Sequence, residues 1–297
     1  MRGAFEAALS VLAGLAFPGA AFVATACATA RSGGRGDAPR RPSIAGPAGS
    51  LAVDDGGKDE PAVLFVHGNG GNRSQWAETL AHLRPTRRAV AFDLRGMGES
   101  APDPHGNYSV AAFASDVAAV ADALDLRRFF LVAHSFGGAV ACAYAGAHPD
   151  RLAALLLVDV AGDLTATPPD RVEGLRRGLS PENYAQFTDA WFASILAKAT
   201  PQTRDAVLRS LHATRPDVFT AASLALYSFR LDEALARYPG PRLAIASYLA
   251  ESPFAIHRGA ANVPVRVVAD ASHWVMMDRP VEVDRILDEF LASSSRP

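Results

Sequence analysis

The stretch from Arg128 to Ala147 constrains the fold more than any other part of the chain. It reads RFFLVAHSFGGAVACAYAGA, an apolar run that ends at Ser135 and passes directly into small residues. Phe129 to Ala133 is short and apolar, as expected of a strand buried on both faces, and Gly137 to Ala147 is typical of a closely packed helix. Ser135 therefore occupies a strand-to-helix corner, where a sharp turn exposes the hydroxyl.

Small residues flank this serine at the two positions where such a turn needs them. Ala133 lies two residues before Ser135 and Gly137 lies two residues after it. This matches the nucleophile-elbow pattern G-x-S-x-G, except that alanine replaces the first glycine. Because a serine can also act as a plain N-cap of a buried helix, the pattern alone leaves both interpretations open.

Apolar runs that alternate with helical patterns organise the rest of the chain. They predict strands at 50–53, 62–66, 89–92, 129–133, 152–158, 243–246 and 265–268. This alternation predicts an α/β fold in which right-handed crossovers build a mainly parallel central sheet with helices on both faces. Ligands bind at the carboxyl ends of such strands. Four polar residues are expected to meet there: Asn69, Ser135, Asp159 and His273.

A long segment at about 163–238 separates the predicted strands at 152–158 and 243–246, and its sequence pattern differs from the strand–helix alternation around it. Helical spacing recurs within it at 181–198, 201–213 and 219–238. We predict a helical cap over the site, inserted between the strands at 152–158 and 243–246, which correspond to the sixth and seventh core strands of the expected fold. Most of its aromatic side chains are expected to pack inside the cap, while some line the cleft. Together with the residue after His273, the candidates for substrate contact are Trp191, Phe192, Tyr227 and Trp274.

The first fifty residues have a composition of their own. Residues 1–30 contain an almost uncharged run that ends in small residues before Cys27, which resembles a bacterial export signal or lipoprotein leader. We predict an exported protein, periplasmic, secreted or attached to the membrane through its N-terminus or a lipidated Cys27. Arginines after the apolar run argue against export. An uncleaved anchor, a misassigned start and a cytoplasmic protein are the alternatives.

Residues 31–49 are rich in Gly, Pro, Arg and Ser and predict a flexible linker before a domain at 50–293. With a formal charge of −2 and scattered arginines, the chain has no basic stripe, which argues against a nucleic-acid partner. Cys142, after the elbow, is expected to be a small buried residue. We expect a small-molecule substrate, no cofactor and no metal site; the oligomeric state stays open.

From about Ser50 to Leu291 the chain resembles the α/β-hydrolase family, in particular esterase-like serine hydrolases with a helical cap. Four motifs match in order. They are His67-Gly68 after a strand, the loop Asp93-x-Arg95-Gly96-x-Gly98-x-Ser100, the elbow at Ser135, and His273 before the final helix. Their common order favours the nucleophile over the N-cap as the role of the serine.

The resemblance implies catalytic roles for several of these residues. Ser135 would attack an acyl carbon, and His273 would take its proton. Backbone N–H groups of Asn69 and Phe136 would hold the oxyanion.

Polar residues near these motifs are expected to be structural. Asp93 and Arg95 more readily lock a loop than react, and His67 is assigned a structural role. His134 adjoins the serine but is expected to point away, because successive side chains of a strand alternate.

The acid that orients the histidine is the point where the sequence departs from the family. Relatives usually carry this acid after the strand that here spans 243–246. In this chain the only carboxylate between Ser247 and Ser252 is Glu251. Glu251 is our first choice. Asp159, after the preceding strand, is its rival and Asp163 a weaker one, while Asp270 is too close to His273 in sequence.

The sequence therefore predicts a cofactor-independent serine hydrolase that cleaves a small apolar ester or related acyl substrate through an acyl-enzyme. Two alternatives keep the same triad: an acyltransferase and a cofactor-free perhydrolase. A third is a catalytically weak ligand-binding protein on the same fold. Because a fold does not fix a substrate, its identity stays open.

Overall fold

The computed structural model describes residues 43–259 and 263–294, which form one eight-stranded sheet. The strands β1 to β8 are Ser43–Gly46, Gly49–Gly56, Val63–Val66, Ala89–Phe92, Phe129–His134, Leu152–Val158, Arg242–Ala246 and Val265–Val267. Their order is β1-β2-β4-β3-β5-β6-β7-β8. Only β1 and β2 run antiparallel to their neighbours, so the predicted mainly parallel sheet is confirmed.

Helices cover both faces of this sheet. Named α1 to α10 in chain order, they are Ala77–Leu83, Val110–Ala123, Phe136–Ala147, Pro169–Gly178, Tyr184–Ile195, Pro201–Ala213, Pro216–Ala225, Leu231–Ala236, Val275–Asp278 and Pro280–Ser294. Alternate residues of β3 enter opposite cores: Leu64 and Val66 pack on one face, and Val63 and Phe65 on the other. Burial on both faces explains why the central strands are continuous apolar runs.

Helices α4 to α8 lie between β6 and β7, where the sequence predicts an insertion. Helix α4 was not predicted, because its sequence PDRVEGLRRG consists mainly of charged residues and glycine. The helix predicted at 219–238 is interrupted between α7 and α8. There the Ser228 hydroxyl donates to the Ala225 carbonyl at 3.2 Å, and Asp232 and Glu233 occupy the first turn of α8, where negative charge stabilises a helix.

The predicted linker at 31–49 extends too far toward the C-terminus, because its last residues belong to the sheet. Residues 43–46 form β1, which pairs with β2 in the register Ser43↔Ala52, so this segment satisfies backbone groups of β2 that would otherwise face solvent. The leader at 1–30, with Cys27, and the linker up to residue 42 lie outside the described residues. Within those residues no helix combines the length and apolarity that a membrane span needs. Cys142 is a buried free thiol, as expected.

Candidate active site

Ser135 lies at the corner between β5 and α3 with φ 52° and ψ −122°, a backbone conformation that residues with a side chain rarely adopt. The corner is packed so tightly that a Cβ atom at Gly137 would lie 2.5 Å from the His67 carbonyl oxygen. Ala133 is fully buried in the sheet core, where its methyl group fits. Glycine is thus required after the serine, whereas alanine is accommodated before it.

A chain of two short hydrogen bonds connects Ser135, His273 and Asp159. The Ser135 hydroxyl donates to Nε2 of His273 at 2.7 Å, and the Nδ1–H of His273 donates to Oδ2 of Asp159 at 2.7 Å. An ionised carboxylate only accepts hydrogen bonds, so the proton of the neutral imidazole resides on Nδ1. The Nε2 lone pair therefore faces the serine, as a base that receives its proton requires.

Asp159 follows β6 directly and is buried, with a side chain that is 0% exposed. Its second oxygen, Oδ1, accepts from the backbone N–H groups of Ser247 at 2.8 Å and Leu249 at 3.1 Å. A buried carboxylate is costly unless donors surround it, and these two N–H groups supply them. The turn after β7 therefore contributes donors to the acid and no carboxylate of its own.

The expectation that Glu251 orients the histidine is wrong. Its side chain is 89% exposed and pairs with Arg258 at 3.2 Å. Asp163 accepts hydrogen bonds from Thr165 instead. Asp270, which is too close to His273 in sequence to be the acid, pairs with Lys198 on the surface. Asp159, the rival candidate, is the carboxylate that contacts His273.

His134 does not point away from the site, as the strand alternation had predicted. Its Nε2–H donates to the His273 carbonyl at 2.8 Å, and the two rings lie 4.7 Å apart. Burial, and then the electrostatic effect of the adjacent His273 ring, lower the pKa of His134 well below the usual value, so the His134 ring is neutral. The alternation fails here because β5 ends at this residue and the strained corner follows.

Buried ion pairs fix the loop after β4, as the sequence predicts. The Arg73 guanidinium and the Glu99 N–H both donate to the carboxylate of Asp93. Arg95 forms a bidentate pair with Asp116 at 2.8 Å and 2.7 Å. Arg95 also donates to the Asp103 carboxylate and the Ala112 carbonyl. These contacts hold the loop, so Asp93 and Arg95 have structural roles.

His67 also has a structural position. Its Nδ1–H donates to the Gly68 carbonyl at 2.8 Å, and its Nε2 accepts from the Leu94 N–H at 3.0 Å. Burial lowers the pKa of His67, so this ring is neutral as well.

The two residues expected to supply oxyanion donors line the same cavity as Ser135. Phe136 opens α3, and the first N–H groups of a helix have no partner within it. Asn69 lies on the loop after β3. Its side-chain amide donates to the Phe219 carbonyl at 2.9 Å and to the Ser223 hydroxyl at 2.8 Å, which ties this loop to α7.

The cavity has a volume of about 160 Å³ and a mainly apolar wall. All four aromatic residues proposed from the sequence line it: Trp191, Phe192, Tyr227 and Trp274. Within the described chain, no Lys, Arg, Asp or Glu belongs to its wall. Leu175 of α4 lines it too, a contribution that the sequence analysis missed together with that helix. Across the described ranges no three His, Cys, Asp or Glu side chains are grouped as metal ligands would be.

Comparison with known proteins identifies similar chains. A family model described as alpha/beta hydrolase fold matches residues 61–237. The acetyltransferase component of the acetoin cleaving system from Cupriavidus necator is 31% identical over 245 residues, which cover 77% of this chain and 63% of that protein. The 2-hydroxy-6-oxo-2,4-heptadienoate hydrolase from Pseudomonas putida is 38% identical over 114 residues, 37% of this chain and 41% of that one.

Among solved structures, a thermophilic esterase from Thermogutta terrifontis with malate bound superposes with a TM-score of 0.75 at 26% identity. The match covers 86% of this chain and 100% of the esterase. In contrast, the chain spans only between 30% and 63% of the length of the curated relatives that it matches.

Proposed function

Because this chain belongs to the alpha/beta hydrolase fold family, we propose that it is a hydrolase that cleaves small apolar esters with Ser135, His273 and Asp159 as its triad. The observation that carries the proposal is the continuous hydrogen-bond chain between these three side chains, with the serine at a strained corner in an apolar cavity. The esterase-like neighbour supports the reaction class.

In the first half-reaction Ser135 Oγ attacks the ester carbonyl carbon while His273 Nε2 takes the hydroxyl proton. The imidazolium that forms is stabilised by the Asp159 carboxylate on its other nitrogen. The carbonyl oxygen becomes an oxyanion, and the backbone N–H groups of Phe136 and Asn69 hold it. When the tetrahedral intermediate collapses, His273 returns the proton to the leaving alcohol and the acyl group remains on Ser135.

In the second half-reaction a water molecule replaces the alcohol. His273 takes a proton from the water as its oxygen attacks the acyl carbon, and it then protonates Ser135 as the carboxylic acid leaves. Asp159 keeps the Nδ1 proton in place through both halves, so the same imidazole face serves as base and acid in turn.

The size of the cavity supports a small acyl group. An apolar cavity of about 150 Å³ accommodates benzene, and this cavity of about 160 Å³ is similar. We therefore expect acyl chains of up to about six carbons, or one aromatic ring, to fit beside the serine. Because the described wall holds no Lys or Arg, a carboxylate on the acyl group would be buried without a counter-ion.

Labelling with a fluorophosphonate and turnover of p-nitrophenyl esters test this function. The wild type should be labelled on Ser135 and should prefer short acyl chains over long ones. Ser135→Ala should remain unlabelled and lose on the order of 10⁶-fold in kcat, whereas the control Ser293→Ala, on α10, should behave as wild type. Folded wild type that resists the probe and cleaves no ester contradicts the proposal.

Acyl transfer to an alcohol is the second candidate function. The mainly apolar cavity wall favours it, because an apolar alcohol gains from burial beside the acyl-enzyme whereas water does not. Turnover of a p-nitrophenyl ester in the presence of 1-butanol separates the two. A hydrolase yields mainly the free acid, and a transferase yields mainly the butyl ester.

A further inference from the structure

The side chain of Asn69 is held in one orientation. Its amide nitrogen donates one hydrogen to the Phe219 carbonyl, which can only accept, and the other to the Ser223 hydroxyl. The nitrogen and oxygen of this amide are therefore assigned by their partners. The backbone next to it is equally confined, because Gly70 has φ +67° and a Cβ atom there would lie 3.1 Å from the Phe219 ring.

The amide oxygen of Asn69 is left without a partner. Oδ1 is buried and accepts no hydrogen bond from any described residue. A buried acceptor without a donor costs about 1–3 kcal/mol, and a ligand that supplies the donor recovers this free energy. Asn69 lines the same cavity as Ser135 and His273, so a substrate in the acyl site is the ligand that comes closest to this residue.

The chemistry of the surrounding wall narrows the kind of donor. Most of its residues are aliphatic or aromatic, and none of those described is Lys, Arg, Asp or Glu. An ammonium group would thus be buried without a counter-charge, at a cost that one amide oxygen does not offset. A neutral hydroxyl or amide N–H fits both the acceptor and the apolar wall.

We propose that Asn69 is a specificity-determining residue whose Oδ1 accepts a hydrogen bond from a neutral hydroxyl or N–H on the acyl group, so that hydroxylated or amide-bearing short acyl esters are preferred substrates. The inference rests on the proposed function, in which the Asn69 backbone N–H holds the carbonyl oxygen. The side chain of the same residue then lies near the acyl carbons next to that carbonyl.

Matched ester pairs that exchange one methyl for one hydroxyl test this selectivity. One pair is p-nitrophenyl 3-hydroxybutanoate and 3-methylbutanoate, and the other is 2-hydroxypropanoate and 2-methylpropanoate, with each enantiomer of the hydroxy esters. Each kcat/KM is divided by the rate constant for alkaline hydrolysis of the same ester, which removes the electronic effect of the hydroxyl. In at least one pair the wild type should favour the hydroxy ester by about 5-fold to 150-fold.

Two variants distinguish the effect of the Asn69 Oδ1 acceptor from the effect of the hydrogen bonds that the Asn69 amide nitrogen donates to α7. Asn69→Leu removes Oδ1 and should bring the ratio within each pair close to one, whatever it does to the overall rate. Ser223→Ala removes a bond to the amide nitrogen but leaves Oδ1 and the Phe219 carbonyl in place, so it should retain the preference. If Asn69→Leu fails to fold, the wild-type ratio decides alone.

Equal or lower corrected rates for the hydroxy esters in a wild type that cleaves both members overturn the inference, and so does an Asn69→Leu variant that keeps the preference. These outcomes leave the proposed function intact. A wild type that cleaves none of the four esters and resists the fluorophosphonate instead contradicts the proposed function, and this inference with it.

Discussion

The turns after β6 and β7 lie side by side at the carboxyl edge of the sheet and divide the support of His273 between them. The β6 turn contributes the Asp159 carboxylate, and the β7 turn contributes the N–H groups that hold this carboxylate and the Tyr248 ring, 5.9 Å from the His273 ring. The strand that carries the acid is thus less important than the contact of one carboxylate with Nδ1. A neighbouring turn whose own acid, Glu251, is exposed and paired with Arg258 can instead stabilise the Asp159 carboxylate through its backbone N–H groups.

The two turns are joined by the backbone as well. The Asp159 N–H donates to the Ile245 carbonyl of β7 at 2.7 Å, and Asp159 itself has φ +50°. This bend directs the side chain across the end of the sheet toward His273. If the comparison is correct, changes in the two turns will have very different effects.

The largest effect is expected from Asp159→Asn in the β6 turn. The amide oxygen of Asn can still accept from the Ser247 and Leu249 N–H groups, so the fold should persist. The variant no longer stabilises the imidazolium or fixes the Nδ1–H tautomer, and kcat should fall by about 10³-fold to 10⁴-fold. Turnover of a short p-nitrophenyl ester measures it. A loss of less than tenfold in a folded variant would place the acid elsewhere.

A moderate effect is expected from Tyr248→Ala in the β7 turn. The ring contacts His273 edge-on and also lines the cavity. Such aromatic pairs contribute about 0.5–1.5 kcal/mol beyond area burial, so kcat/KM should fall by about tenfold. Tyr248→Phe keeps the ring and serves as the matched control. Equal values for the Ala and Phe variants would show that the ring does not support the histidine.

Two buried histidines on the other side of the site, His134 in β5 and His67 after β3, should affect the pH dependence of stability. Burial lowers the pKa of both His134 and His67 in the folded state. The unfolded chain, with histidine pKa values of about 6.5, therefore binds more protons in acid. The free energy of unfolding is therefore highest above this pH with respect to these two histidines. It decreases as the pH drops below about 6.5, by up to about 1.4 kcal/mol per pH unit for each histidine.

Urea unfolding at several pH values checks this slope. His134→Gln keeps an N–H for the His273 carbonyl but does not titrate, so its stability should depend less on pH than that of wild type. The exposed His105→Gln variant is the control and should keep the wild-type slope. An unchanged slope in His134→Gln would contradict a lowered pKa at His134.

The smallest effect is expected from Glu251→Gln, also in the β7 turn. Its exposed ion pair with Arg258 belongs to a class that contributes about 0–1 kcal/mol. Both kcat and the free energy of unfolding should stay close to wild type. A loss of activity comparable to that of Asp159→Asn would contradict the comparison of the two turns.

The sequence predicts the sheet and the position of the serine well, because both depend on local patterns. Apolar runs mark the central strands, and small residues mark the corner at Ser135. The acid was ranked wrongly because Asp159 and His273 are separated by 114 positions. Their contact depends on how two strand ends bend toward each other, which no local pattern encodes.

Elements with weak periodicity were missed for a related reason. Strand β1 has the composition of a linker, and it is a strand only because β2 offers it an edge. Helix α4 is so charged that its buried Leu175 carries little weight in the sequence. The contact of His134 with the His273 carbonyl likewise arises from the packing of two chain segments. Tertiary context decided each of these features.

The rate at which a fluorophosphonate labels Ser135 measures the reactivity of the serine without reference to any substrate. Wild type, Asp159→Asn and Glu251→Gln should be compared side by side by intact mass. Our account predicts a labelling rate that falls by about 10³-fold or more in Asp159→Asn and stays at the wild-type value in Glu251→Gln. Equal rates in all three proteins, or the slow rate in Glu251→Gln, would contradict it.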